Sequence, residues 1–187
     1  TVALTITRAD GKVAEMTWSF FVGEEGMSLY FGQIHSHTAE YSDGAGTLED
    51  AYEHAMEAKD VDFLIVTDHS NYFDPKNDPN VEAALYDTSL VKDSDANHSW
   101  KTYKDTIAQF NKDNAGDMVA IGGFEMTWSG GPGHINTFNT PGIVSRNNKT
   151  LNNKTDDAGM KAYYALLSQT EGANSISQFN HPGTTFG

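Results

Sequence analysis

Two histidines one residue apart give the chain its first candidate for chemistry. In YFGQIHSHTAEYSDG, residues 30–44, His35 and His37 would share one face of an extended segment, and Asp43 follows six positions after His37. Such a pair suits a shared cation, because imidazole is the commonest protein ligand for metals. Taken alone it suits a solvated loop as well. Further candidates lie far along the chain: Asp68 and His69 in VTDHS, Glu125 in GGFEMTW, His134 after GGPG, and His181 in FNHPG. Each has an ordinary reading by itself. Asp68 could cap local backbone amides, Asp43 could be a turn residue, Glu125 an exposed strand carboxylate, and His134 and His181 loop histidines.

The elements that must position these residues follow from periodicity and turn chemistry. Asp10-Gly11 between two alternating segments, residues 2–7 and 13–22, predicts a β-hairpin. It is similar to the last hairpin of an immunoglobulin-like sandwich, with residues 23–26 (GEEG) as a linker; an edge hairpin of the main domain is the alternative. From residue 27 strands alternate with helices. Residues 27–34 read as a strand, and residues 47–59 as a helix with Thr47 as N-cap, Asp50 in the capping-box position, and Leu48, Ala51, Tyr52 and Ala55 on one face. The apolar run 61–67 reads as a strand buried on both sides. Residues 70–97 form a polar excursion, and 99–111 an amphipathic helix burying Trp100, Tyr103, Ile107 and Phe110. Strands at 117–128 and 134–140 flank a tight SGGPG turn; a helix at 155–169 and a last strand from 174 complete the pattern.

Repeated βα units imply an α/β layered or barrel architecture. In that architecture functional side chains gather at the carboxyl ends of strands. Five of the seven histidines fall at predicted strand ends, with His54 inside the first helix and His98 in the polar excursion assigned to structural or surface roles. One rim collecting five imidazoles and carboxylates reads most economically as a metal site. Mixed imidazole and carboxylate ligands without thiolate suit Zn, Mn or Fe better than Ca or Mg.

Composition narrows the partners. With 187 residues, 38% hydrophobic and 20% charged, the chain can bury a core of one domain, with at most a small appendage. Its 12 Lys and Arg against 26 Asp and Glu give a net charge of -14, which disfavours nucleic acid. There is no cysteine, hence no disulfide, thiolate ligand or cysteine nucleophile. No apolar run approaches the roughly 20 residues of a membrane span, and no signal peptide is visible. Because the chain begins inside a predicted strand, we expect a piece of a longer protein.

FGQIHSHTAEYSDG, VTDHS, GGFEMTW, GHIN and FNHPG, in this order, resemble the polymerase-and-histidinol-phosphatase (PHP) superfamily of metal-dependent phosphoesterases, and its carbaryl-hydrolase-like branch most. The resemblance covers roughly Leu29 to Gly187, within a domain expected over residues 27–187. It implies a distorted (β/α)7 barrel, incomplete at its C-terminal end and preceded by the hairpin, holding two to three divalent ions. His35 and His37 would bind the first ion, and Glu125 would bridge it to a second completed by His134 and His181. Asp43 and His69 would hold a third. Asp68 would be a catalytic-site carboxylate that orients an imidazole.

The family also ends its site with a later Asp-x-His pair, whereas six residues follow His181 here and none is Asp or His. Either those ligands lie in a missing C-terminal segment or in a separate chain, which is the expectation, or the site is incomplete. The function implied is hydrolysis of a small phosphate ester by a metal-activated hydroxide. Two alternatives stay open: a carbamate, ester or amide hydrolase with the same site, and a non-catalytic cell-surface binding module with structural metals. The suspected sandwich hairpin points to an extracellular or cell-surface location, with the cytoplasm as the other possibility.

Overall fold

The computed structural model describes residues 2–19, 28–73, 100–128, 133–140, 142–148, 151, 157–168 and 174–181. The chain divides into two compact units, Thr1–Tyr30 and Phe31–Gly187. In the first, strands β1 (Val2–Thr7) and β2 (Val13–Trp18) pair antiparallel, Thr7 opposite Val13. Their five-residue loop turns at Asp10-Gly11 as predicted. Gly11 takes φ +80°, and Asp10 Oδ1 accepts the Lys12 N–H. The expected linker at 23–26 lies outside the described residues.

The second unit is built on one five-stranded mixed sheet. In chain order its elements are β3 (Gly32–Gln33), α1 (Leu48–Glu57), β4 (Phe63–His69), α2 (Trp100–Asp113), β5 (Val119–Trp128), β6 (Gly133–Phe138), α3 (Ala158–Leu167) and β7 (Ile176–Phe179). The strands lie in the order β3-β4-β5-β6-β7, with β3, β4 and β5 parallel and β6 and β7 joined antiparallel. This corrects the expected (β/α)7 barrel: the sheet-rich second unit is a curled half-barrel. The reason is local. Only residues 129–132 separate β5 from β6, far fewer than the dozen or so a parallel crossover needs, so β6 must return antiparallel. The SGGPG turn itself lies largely outside the described residues, as do residues 74–99 of the polar excursion. The first strand is also much shorter than the predicted 27–34.

Helix α1 starts where the sequence places it. Thr47 Oγ1 accepts the Asp50 N–H while Asp50 Oδ2 accepts the Thr47 N–H, a reciprocal capping box. Leu48, Tyr52 and Ala55 are buried, as are Trp100, Tyr103, Ile107 and Phe110 of α2. These side chains cover one face of β4 and β5, meeting Leu64, Val66, Phe124 and Met126 in a single core. Each fully buried large apolar side chain contributes about 1.5–3 kcal/mol. Close approach of α2 depends on Gly122, where a Cβ would come within 2.5 Å of Ile107 Cδ1. Tyr103 Oη donates to the Val66 carbonyl and Tyr52 Oη to the Ile121 carbonyl, each at 2.8 Å, so neither buried hydroxyl is wasted. No helix of the described chain is long and apolar enough to cross a membrane.

Candidate metal centre

The opposite face of β5 carries the polar residues. Because alternate residues in a strand point to opposite sides, Phe124 and Met126 enter the core while Glu125 and Thr127 face away from it. His69, Glu125 and Asn136 are register partners across β4, β5 and β6. Since β6 and β7 alternate in direction, the start of β6 and the end of β7 lie at the same edge as the ends of β4 and β5. His134 and His181 reach the same edge for that reason.

Glu125 is the centre of the arrangement, with no exposed side-chain surface. Its Oε1 is 3.3 Å from His35 Nε2, 3.3 Å from His134 Nδ1 and 3.4 Å from His181 Nε2. Its Oε2 is 2.6 Å from His69 Nδ1 and 3.6 Å from His37 Nε2. All five predicted imidazoles therefore surround one carboxylate, split between its two oxygens. Among the described residues no Lys or Arg pairs with it. Asp43, on the loop after His37, places Oδ1 3.4 Å from His37 Nδ1 and Oδ2 3.4 Å from His69 Nε2. It is the exposed member, at 56%.

Three triplets have ligand atoms all within 4.8 Å of one another: His35, His37 and Glu125; His37, Asp43 and His69; and His69, Glu125 and His134. The first is the grouping inferred for the first ion. The second adds His37 to the expected Asp43 and His69. In the third, His69 takes the place expected of His181, which touches Glu125 from outside the triplets. These groups could hold a metal ion. The fit is supported by an orphan: His134 Nδ1 is buried and makes no hydrogen bond, although Glu125 Oε1 is within ion-pair distance. A buried ring nitrogen left without a hydrogen bond is costly, and a cation would satisfy it.

Electrostatics follow from the same geometry. Burial favours the neutral form of His37 and, with the charge of His69, lowers its pKa to about 4. Burial likewise lowers His134. For His69 burial acts downward too, but the hydrogen bond and charge of Glu125, helped by Asp43, outweigh it and raise the pKa. Burial would raise Glu125; hydrogen bonds from His35, His69 and Asn180 reverse this and hold it well below the usual carboxylate range.

The loop carrying Asp43 is folded tightly. Thr38 O accepts the N–H groups of Ser42 and Gly44, and Gly46 O accepts those of Ala39 and Glu40. Gly44 packs on the His37 backbone, where a Cβ would come within 2.0 Å of the His37 carbonyl oxygen. Asp68 anchors this loop. Its Oδ1 accepts the Thr38 N–H and the Ser42 hydroxyl, both at 2.7 Å, and its Oδ2 accepts the Thr38 hydroxyl at 2.9 Å.

Asp68 does not touch an imidazole, because it lies on the face of β4 opposite His69. It acts one step back. With its hydrogen on Asp68, Ser42 Oγ accepts from His37 Nδ1 at 3.1 Å, which leaves the lone pair of His37 on Nε2, toward Glu125. Asp68 thus positions His37 rather than contacting a substrate.

Thr38, Ser42, Thr127, Asn136 and Asn180 are site residues that pattern reasoning missed. Asn136 stands two residues after His134, where i, i+2 spacing was a weak signal, and Asn180 directly precedes His181, where spacing gave none. His54 is exposed on α1; His98 lies outside the described residues. Compared with known proteins, the chain matches no family model and no curated protein.

Proposed function

We propose that the second unit is a metal-dependent hydrolase of the PHP type, acting on a small phosphate ester. The observation that carries the reading is the buried Glu125 carboxylate with five imidazoles at its two oxygens and Asp43 at the exposed side. His35, His37 and Glu125 would hold one ion, His134 and His181 with the same carboxylate a second, and Asp43 with His69 a third. The absence of thiolates and the mixed nitrogen and oxygen donors favour Zn, Mn or Fe.

Bound divalent ions supply an acidified water and positive charge for phosphoryl oxygens. The protein's own residues supply the rest. Glu125 holds the imidazoles in register, Ser42 and Asp68 set the His37 tautomer, and Asp43 marks the open side. With 12 Lys and Arg against 26 acidic residues, side chains contribute little positive charge for an anionic substrate.

The test is metal analysis of the purified chain, followed by assay on aryl phosphates and on aryl carbamates and esters. Metal-dependent release from the phosphates alone, lost in His37→Ala, is the expected result. Turnover of only the carbamates or esters would move the electrophile from phosphorus to carbon. Bound metal with no turnover on any of them would favour a structural role for the ions.

A further inference from the structure

A chain of three amides runs from the backbone to Glu125. The Ile34 carbonyl, just after β3, accepts from Asn136 Nδ2 at 2.8 Å. A carbonyl can only accept, so the NH2 end of Asn136 is fixed there and Oδ1 must point the other way. Asn136 Oδ1 accepts from Asn180 Nδ2 at 2.6 Å, and the same Nδ2 donates to Glu125 Oε1 at 2.8 Å. Both hydrogens of the Asn180 amide are thereby assigned. Both asparagines are buried, Asn136 completely and Asn180 at 4% exposure. The Asn180 backbone N–H is held in turn by the His134 carbonyl at 3.0 Å.

We propose that Asn180 is a positioning residue of the metal centre, with Asn136 and the Ile34 carbonyl dictating that its donor end faces Glu125. This rests on the metal-centre reading above. The distinction from the histidines is chemical. An imidazole N–H that holds Glu125 can lose its proton and become a ligand, whereas a carboxamide NH2 cannot. Asn180 is therefore a contact to Glu125 that persists whether or not a cation is bound. It engages Oε1, the oxygen that His35, His134 and His181 also approach. Asn180 Oδ1, buried and without a hydrogen-bond partner, is the acceptor left over.

The test is Zn2+ titration of the chelator-treated chain against a competing chromophore, for the wild type and Asn180→Leu. The expected result is an affinity about 10–100-fold weaker in the variant. The visible bands of the Co2+-saturated protein should shift as well, because the Glu125 oxygen is no longer held. Asn136→Leu should weaken binding in the same direction, and the double variant should be no worse than Asn180→Leu alone, since both act through one chain.

A folded Asn180→Leu with wild-type affinity and an unchanged Co2+ spectrum overturns the proposal while leaving the metal reading standing. Wild-type protein that takes up no Zn2+ overturns both. Should Asn180→Leu not fold, NMR of the wild type decides: two separate, slowly exchanging Asn180 amide protons that shift with Zn2+ support it, and averaged, rapidly exchanging ones overturn it.

Discussion

His69 Nδ1 stands 2.6 Å from Glu125 Oε2, across two adjacent parallel strands whose register pairs these same residues. The sheet thus delivers the contact through backbone pairing and needs no loop to find it. Glu125 gains a hydrogen-bonded partner where its side chain has no exposed surface, and His69 gains a charge that offsets its own burial.

Replacing the carboxylate should separate these effects. Glu125→Gln keeps the size but removes the charge shared by five imidazoles. Metal affinity should fall by at least about 100-fold, beyond the range for an outer residue, as read by chelator competition. In the metal-free variant the His69 pKa should drop, since burial then acts on it with only Asp43 opposing. NMR titration of its ring protons measures that drop directly.

Metal uptake should release a proton. With its pKa raised, His69 retains its proton to higher pH than an ordinary histidine, so a cation bound there must displace it. Affinity should therefore decline as pH falls through neutrality. Calorimetry in two buffers of different ionisation enthalpy should show net proton release on binding. His37 adds little to this, because its pKa near 4 leaves it neutral over the same range. In His69→Gln the buffer dependence should shrink.

What could be read before the structure was what depends on short-range pattern. The Thr47 and Asp50 capping box and the apolar faces of both long helices are spelled out in consecutive residues, and tertiary packing does not override them. His35, His37 and His69 were legible because the ends of parallel strands converge, whereas His134 and His181 reach the same edge only through the antiparallel return of β6 and β7. The barrel was a different matter. SGGPG was read as a tight turn, and a tight turn between strands already demands an antiparallel return. The resemblance to a barrel family pulled the other way, and geometry decided. Which imidazole Asp68 serves was not legible, because neighbours in a strand face apart and its link runs through Ser42 to His37 rather than to His69. Asn180 and Asn136 were hidden because amides leave no pattern of charge.

Gly44 carries a steric requirement invisible in the sequence. A Cβ there would meet the His37 carbonyl oxygen and carbon at 2.0 and 2.3 Å, backbone atoms that cannot rotate aside. Gly44→Ala should cost about 2–4 kcal/mol in urea denaturation and weaken metal binding with it, since the loop bearing Asp43 must lift from His37. Gly46 offers a contrast. Its φ is +68° and its nearest atoms belong to the Asp50 side chain at 3.3 Å. Gly46→Ala should cost only about 1–2 kcal/mol, the usual left-handed penalty.

Asp68 makes a prediction whose sign depends on pH. Burial pushes its carboxyl up to about 6, against the hydrogen bonds from Thr38 and Ser42. A carboxyl raised in the folded state is bound to its proton more tightly there than in the unfolded chain. Its stabilisation is present in full below the unfolded value near 4 and is lost as pH rises through 6. The loss amounts to about 3 kcal/mol. Asp68→Asn has no such titration, and its amide can accept from Thr38 N and Ser42 while donating to Thr38 Oγ1. In chelator-treated protein the stability of Asp68→Asn relative to the wild type should therefore increase between pH 4 and 7, measured by urea denaturation at each pH. A difference that stays flat across this window would mean that Asp68 is ionised throughout, and that the Ser42 link to His37 begins from a charge rather than from a buried acid.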